Sequence, residues 1–308
     1  MTRRLVLLSL ASLLWTPGLS VLCAQDAGTA PEKWKSLAFT TSALTPAELA
    51  GRDALPVPGV APRAGVASPT RSPWINANGW RFLRAHGGGK YAYDVPAGRA
   101  ALATAEAFAY GADAVIKIVP GDQPAVGAML TFLKQLPEVS DLAAPDAAVA
   151  DLAVVDDGTP ITGEVMNLLS RRNLLFAPVK APSTRYKINI TVGSKEYPQA
   201  EAADPSGFAL KVRRQLTDEQ RTLRIYGSEV VIGHLTSKGG RARLHLLNYG
   251  GRDIEGLRVR VRGSFKEDAT FVAGTGRAKL DDLTITDGAT EFSLPRMGAY
   301  AVVDLSAR

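Results

Sequence analysis

Residues that bind metals or form disulfides are scarce in this sequence. Its 308 residues include one cysteine, Cys23, and three histidines, His86, His234 and His245. Zinc and most other transition metals are held by clusters of such side chains, and the three histidines lie too far apart in the sequence to form a local ligand motif. We therefore expect no metal and no cofactor. The Gly-x-Ser-x-Gly motif that positions the nucleophile of many serine hydrolases is also missing.

Long apolar segments and concentrated charge are also lacking. The formal net charge is +6, but the basic residues form no run, so a nucleic-acid partner is not expected. After the N-terminus, no segment reaches the roughly 18 consecutive apolar residues of a transmembrane helix. We expect no stable membrane span once the N-terminal segment has been removed.

The N-terminus has the order of a secretory signal. Arg3 and Arg4 precede an apolar stretch over residues 5–14, and small residues follow near Ala24. Lipoprotein signals place a small residue before the cysteine, whereas Leu22 stands there, so we expect cleavage after Ala24 rather than lipidation. The protein is then secreted or periplasmic, and the mature chain has no cysteine. A signal anchor that stays in place is the alternative.

Composition divides the remaining chain into three parts. Residues 25–71 are rich in Pro and Ala and are expected to be irregular. Residues 72–226 predict an α/β domain with a mostly parallel sheet and helices. Residues 227–308 predict a small antiparallel β-sandwich of the immunoglobulin-like type, because seven short strand candidates are separated by turn residues.

The clearest element is a strand, helix and strand over residues 152–179. An apolar run ends at Asp156, after which Thr159 suits a helix N-cap and Pro160 suits the first helical position. Asn173 can adopt the left-handed conformation that ends a helix. Parallel sheets place ligand sites at the carboxyl ends of their strands, so Asp156 marks a candidate site.

Residues 72–84 form the segment richest in recognition chemistry. Trp74 and Trp80 offer apolar ring faces, Asn76 and Asn78 offer amides, and Arg81 offers a planar guanidinium group. Sugars need this combination, because their C–H faces stack on rings and their hydroxyls bind planar polar groups. In the alternative interpretation, the tryptophans are core anchors and the asparagines cap turns.

Paired carboxylates would instead indicate a glycoside hydrolase. Asp156 and Glu164 are the first candidates, with Asp94 and Asp157 behind them. Glu164 lies early in the predicted helix, where a carboxylate also stabilises the helix dipole. Glu106 is interpreted as a residue on a helix surface.

Two charged strand patterns in the predicted sandwich are interpreted as solvent-facing. Arg258, Arg260 and Arg262 alternate with apolar residues, and a patch for anionic glycans is the less favoured interpretation of that row. His245 shares its strand face with Arg243 and is expected to point outward as well.

Four segments carry a family resemblance. They are LAVVDDGTPITGEVMNLLSRRNLLFAPV, RIYGSEVVIGHL, LHLLNYGGRDIEGLRVRVRGSF and TEFSLPRMGAYAVVDL. These segments resemble the rear modules of bacterial exported glycoside-hydrolase-like proteins, in which a glutamine-amidotransferase-like α/β module precedes a C-terminal β-sandwich. The chain is too short for a complete catalytic barrel plus both modules, and it lacks the cysteine nucleophile of an amidotransferase. The resemblance implies a carbohydrate setting and assigns no catalytic residue.

These observations favour a secreted, non-catalytic protein that binds a poly- or oligosaccharide or serves in assembly. Its predicted ligand-binding residues are Trp74, Asn76, Asn78, Trp80 and Arg81. A glycoside hydrolase with Asp156 and Glu164 as its catalytic pair remains the alternative. The sequence leaves the oligomeric state open.

Overall fold

A computed structural model describes residues 36–56, 77–85 and 88–308. The N-terminal part contains a four-stranded parallel sheet in the order β1-β4-β3-β2. Its strands are β1 (Leu37–Thr40), β2 (Asp53–Leu55), β3 (Lys90–Asp94) and β4 (Asp113–Lys117). The helices of this part are α1 (Pro46–Leu49), α2 (Ala77–Ala85), α3 (Ala100–Ala109) and α4 (Gln123–Lys134).

A second parallel sheet follows in the order β6-β5-β7. It consists of β5 (Leu152–Val155), β6 (Phe176–Val179) and β7 (Asn189–Ile190), with helices α5 (Pro160–Arg171) and α6 (Pro205–Leu216). Thr159 caps α5 by accepting a hydrogen bond from the Thr162 N–H, and Asn173 has the left-handed φ of 51° after the helix. The predicted strand, helix and strand unit is confirmed.

The C-terminal part is antiparallel. Its two sheets have the orders β13-β12-β16-β10-β9 and β14-β15-β11-β8. The strands are β8 (Leu223–Tyr226), β9 (Val231–Lys238), β10 (Arg241–Asn248), β11 (Ile254–Arg262), β12 (Phe265–Val272), β13 (Gly276–Ala278), β14 (Asp281–Thr286), β15 (Ala289–Met297) and β16 (Tyr300–Ala307). Leu257, Val259 and Val261 are buried between the sheets. The predicted fold class, an α/β part followed by a β-sandwich, is therefore confirmed.

Two local expectations differ from the structure. The segment expected to be irregular contains β1, α1 and β2, and a capping box in which Thr45 and Glu48 satisfy each other's backbone N–H groups begins α1. Leu223–Tyr226, at the end of the region predicted as the α/β domain, instead pairs antiparallel with β11. The first expectation rested on composition, which does not locate short strands, and the second on a short apolar run, which predicts a strand but does not identify its partner.

The face of β10 that carries Arg243 and His245 was expected in solvent, and that expectation is wrong. Both residues are buried, because the α/β part packs on this face. Phe108 of α3 contacts the His245 ring edge to face at 6.3 Å. Arg243 forms two bonds to Asp304, of 2.6 and 2.7 Å, and His245 Nδ1 lies 2.6 Å from the Tyr300 hydroxyl. These partners satisfy polar groups that burial would otherwise destabilise.

No helix in the described ranges is long and apolar enough to span a membrane. Among the same residues, no three His, Cys, Asp or Glu side chains are grouped so that they could hold a metal ion.

Candidate functional site

Arg81 contacts Asp156 at the carboxyl end of β5. Arg81 Nε lies 2.8 Å from Asp156 Oδ1, although the two residues are 75 positions apart in the sequence. Both side chains are largely buried, with 7% and 10% of their surface exposed. The two regions that the sequence singled out for recognition and for chemistry therefore meet at one edge of the parallel sheet.

The remaining groups of the Arg81 guanidinium extend this contact in two directions. Nη1 donates to Asn78 Oδ1 at 2.5 Å, within α2. Nη2 donates to the Thr159 carbonyl oxygen at 2.6 Å, at the start of α5. The Gly158 N–H also donates to Asp156 Oδ1, at 3.0 Å. Arg81 thus holds α2 against the turn that follows β5.

Asp157 is occupied by the same turn. Its Oδ1 accepts hydrogen bonds from the Thr159 N–H at 2.9 Å and the Thr159 hydroxyl at 2.8 Å. Burial acts to raise the pKa of Asp157, but hydrogen bonds from Thr159 and Thr162 outweigh it and lower the pKa below its ordinary value. Asp157 therefore stays ionised at neutral pH, and its principal role is to shape the turn.

Trp80 lies in the core. Its side chain is fully buried and contacts Tyr110 and Tyr249 edge to face, at 5.6 and 6.3 Å between ring centroids. This position matches the core-anchor interpretation of the tryptophan, since no ring face reaches the surface. Asn78, two residues earlier, is exposed. Trp74, Asn76 and His86 lie outside the described residues.

The other candidate carboxylates occupy different surroundings. Glu164 is half-buried on α5, in the helix that begins at the Asp156 turn. Asp94 ends β3 in the other parallel sheet, and its Oδ2 lies 2.8 Å from Lys117 Nζ in an exposed ion pair. Asp94 and Asp156 therefore belong to the edges of two separate sheets.

Glu106 was expected on a helix surface but lies in the core. It is 1% exposed, and its Oε1 accepts a 2.5 Å hydrogen bond from the Tyr249 hydroxyl. Burial raises the pKa of Glu106 to about 7, although the hydrogen bond from Tyr249 lowers it. The burial of Glu106 could have been predicted from the sequence, because a helix that is apolar on every face, such as AALATAEAFA, is normally buried.

Asp151 also has a raised pKa, and burial is again the largest cause. It lies just before β5, at the amino end of the strand, and accepts hydrogen bonds from the Thr222 N–H and hydroxyl at 3.0 and 2.5 Å. Asp151 therefore lies at the opposite end of β5 from Asp156.

A cavity of about 460 Å³ lies elsewhere, between α3, α4 and β10. Its walls include Phe108, Leu133 and Leu142, and Arg243 and His245 contribute polar groups. This space belongs to the packing of the α/β part on the sandwich and lies apart from the Arg81–Asp156 contact.

No protein-family model matches the chain, and no curated protein matches it. Among solved structures, the fold is similar to that of alpha-L-fucosidase isoenzyme 2 from Paenibacillus thiaminolyticus, with a TM-score of 0.51 and 10% identity over 73% of this chain and 62% of that chain. An alpha-amylase from H. orenii matches with a TM-score of 0.20 and 11% identity, over 71% of this chain and 54% of that one.

The maltogenic alpha-amylase AmyB from Thermotoga neapolitana matches with a TM-score of 0.21 and 11% identity, over 75% of this chain and 65% of that chain. The chain spans less than two thirds of the length of each of these three structures. At 10% identity, the similarity to the fucosidase is one of fold.

Proposed function

We propose that the protein is an exported, non-catalytic carbohydrate-binding or assembly protein, related to the accessory modules of glycosidases, including their amidotransferase-like α/β module. The observation that carries the proposal is the Arg81 contact. It brings an exposed amide, a carboxylate and a guanidinium group together at the carboxyl edge of a parallel sheet, which is where open α/β sheets bind ligands.

Asp156 retains capacity for a ligand. Both Arg81 and Gly158 donate to its Oδ1, and none of the described residues donates to its Oδ2. A carboxylate oxygen accepts hydrogen bonds strongly, so Oδ2 would accept a sugar hydroxyl. Asn78, exposed on the adjacent helix, would supply an amide to a neighbouring hydroxyl.

Paired-carboxylate hydrolysis is supported less well by the described residues. A glycosidase needs a protonated acid and a second carboxylate on either side of the scissile bond. Glu106 and Asp151, whose pKa values burial raises, are held by hydrogen bonds from Tyr249 and Thr222 and do not lie beside Asp156. Asp156 accepts hydrogen bonds from Arg81 and Gly158, which suits a fixed binding group.

A glycan array with product analysis tests the proposal. We expect the wild-type protein to bind a neutral oligosaccharide without releasing product, and Asn78→Ala to weaken binding about tenfold, the effect of removing one or two polar contacts. Gln135→Ala, at an exposed position beyond α4, is the matched control. Equal binding by Asn78→Ala and wild type would contradict the proposed binding site. Product that is released by the wild type but not by Asp156→Asn would favour the glycoside hydrolase.

Export is tested separately. Arg3, Arg4 and the apolar stretch over residues 5–14 support a cleaved signal. We expect the protein in the periplasmic or secreted fraction, with Gln25 at its mature N-terminus. Retention of Met1 in a membrane fraction would instead identify a signal anchor.

A further inference from the structure

A cleft of about 280 Å³ lies between the ends of α5 and α6. Its described lining consists of three arginines and three aliphatic residues, with no acidic residue among them: Arg172, Arg213, Arg221, Leu174, Ala209 and Leu210. Leu210 is 44% exposed, which is unusual for a large aliphatic side chain in this protein. The cleft therefore combines concentrated positive charge with an accessible apolar wall.

Two of these arginines have an ordinary structural role. Arg172 follows α5 and Arg213 lies in the last turn of α6, and cations at helix C-termini stabilise the helix dipole. Arg221 differs, because it lies in the turn between α6 and β8. Its side chain is 8% exposed, and its Nε is buried and has no hydrogen-bond partner among the described residues.

The arginines around the cleft outnumber the carboxylates that pair with them. Arg213, Arg221 and Arg224 all share Asp218, with nitrogen–oxygen distances of 2.7, 3.4 and 3.3 Å. Arg172 has one exposed partner, Glu229, at 3.3 Å. Hydrogen bonds from Arg213 are the largest cause that lowers the pKa of Asp218 to about 2. Glu219, beside Asp218, is exposed at the rim. An anion bound in the cleft would neutralise the positive charge that Asp218 and Glu229 do not balance.

The positive surface continues onto the sandwich. Arg224 of β8 lies opposite Arg260 of β11, and Tyr226 lies opposite Arg258. Arg260 was expected in solvent with Arg258 and Arg262, but it is only 8% exposed, so Arg224 and Arg258 supply the charge at this surface. The guanidinium groups of Arg224 and Arg258 lie 4.9 and 5.8 Å from the Tyr226 ring centroid. Like charges directly opposite each other destabilise a sheet, and Glu291 is shared by Arg258 and Arg260, at 2.5 and 3.5 Å.

We propose that the cleft formed by Arg172, Arg213 and Arg221 binds a carboxylate of an acidic oligosaccharide, whose further units follow Arg224 of β8 and Arg258 of β11. Arg213 already holds Asp218 through a pair of hydrogen bonds from Nε and Nη2, so a ligand carboxylate would accept hydrogen bonds from the remaining guanidinium N–H groups of the cleft. Leu174, Ala209 and Leu210 supply an apolar wall for the C–H face of a sugar ring. The choice of a saccharide among polyanions rests on the proposed function, whereas the cationic site does not.

A nucleic acid fits this surface less well. Proteins that bind single-stranded nucleic acid stack successive bases on several aromatic rings. Among the described residues named along the cleft, β8 and β11, the aromatic ring is that of Tyr226, and it is already flanked by two guanidinium groups.

Trigalacturonic acid is the probe, and calorimetric titration at low ionic strength is the measurement. We expect wild-type binding that weakens as salt is added, and a loss of about tenfold or more in Arg172→Gln and in Arg213→Gln, the effect of one charge-assisted contact. Arg277→Gln is the matched control, since Arg277 is exposed on β13 in the other sheet. Circular dichroism confirms that each variant is folded.

Three further titrations identify the ligand class. Trigalacturonic acid methyl ester has the same rings without the charges, so binding as tight as that of the acid would overturn the proposal. Inorganic sulfate that binds through the same arginines as tightly as the acid would identify a simple oxyanion site and overturn the saccharide assignment, as would tighter binding of oligothymidylate. An absence of trigalacturonate binding, or an equal loss in Arg277→Gln, also overturns it. A negative result in the neutral glycan array would contradict the proposed function, but it would not affect the test of the cationic cleft.

Discussion

The Tyr249 hydroxyl donates a 2.5 Å hydrogen bond to Glu106 Oε1. This bond links the residue after β10 in the sandwich to the middle of α3 in the α/β part. The carboxyl group is buried and its pKa is raised to about 7. The contact between the two parts therefore contains a group that titrates near neutral pH.

Glu106→Gln should remove a pH dependence of stability. The carboxyl group has a pKa of about 7 when folded and an ordinary value of 4.5, so the folded state binds the proton more tightly. Its contribution is complete below about pH 4.5 and is lost as the pH rises through about 7, at about 1.4 kcal/mol per pH unit, or about 3 kcal/mol in total. The glutamine keeps an oxygen for Tyr249 but does not titrate.

Urea denaturation of both proteins between pH 4.5 and 8 measures this effect. We expect the difference in unfolding free energy between wild type and variant to change with pH in that window. Parallel curves for the two proteins would show that Glu106 does not carry the dependence. Asp151, whose pKa is also raised by burial, contributes in the same direction to both curves and cancels in the difference.

Arg81 and Asp156 should be strongly coupled in stability. Arg81→Met leaves the largely buried Asp156 carboxylate without its ion-pair partner, and we expect a cost of about 3–5 kcal/mol. Because replacing a buried pair by apolar residues costs much less than breaking it, Arg81→Met with Asp156→Leu should be less destabilised than Arg81→Met alone. Urea denaturation of the single and double variants forms the cycle. Additive effects would mean that the 2.8 Å contact contributes no coupling energy.

Local chemistry explains which parts of the fold were predictable. Thr159 and Pro160 specify the start of α5 within two residues, so β5, α5 and β6 could be located from the sequence. The Arg81–Asp156 contact joins residues 75 positions apart, and no local pattern encodes such a pairing. The alternation around Arg243 showed that one strand face is polar, but it did not show that another part of the chain covers that face.

Two ion pairs on β10 should differ widely in their effect on stability. Arg243 binds Asp304 with side chains 6% and 11% exposed, whereas Arg241 binds Asp141 with side chains 49% and 34% exposed. We expect Arg243→Leu to cost about 3–5 kcal/mol, because it leaves a buried carboxylate unpaired. Arg241→Leu should cost no more than about 1 kcal/mol.

Arg241→Leu is an internal control, because it makes the same substitution on the same strand and so loses the same charge and changes strand propensity in the same way. Thermal or urea unfolding provides the comparison. Similar costs for the two variants would show that the α/β part does not seal the Arg243 face against water.

Two glycines should respond in opposite directions to alanine. A Cβ added at Gly233, in β9, would lie within 3.4 Å of side-chain atoms of Leu223, Ile225 and Leu244, with the shortest distance to Leu223 Cδ2. These atoms fill the space between the sheets, so we expect Gly233→Ala to destabilise the protein by about 1–3 kcal/mol through overpacking. Gly127, in α4, has no atom within 4 Å of its added Cβ, and alanine is the better helix former by about 1 kcal/mol. Gly127→Ala should therefore raise the unfolding free energy, and a rise in Gly233→Ala as well would mean that the sandwich core is packed more loosely than these contacts imply.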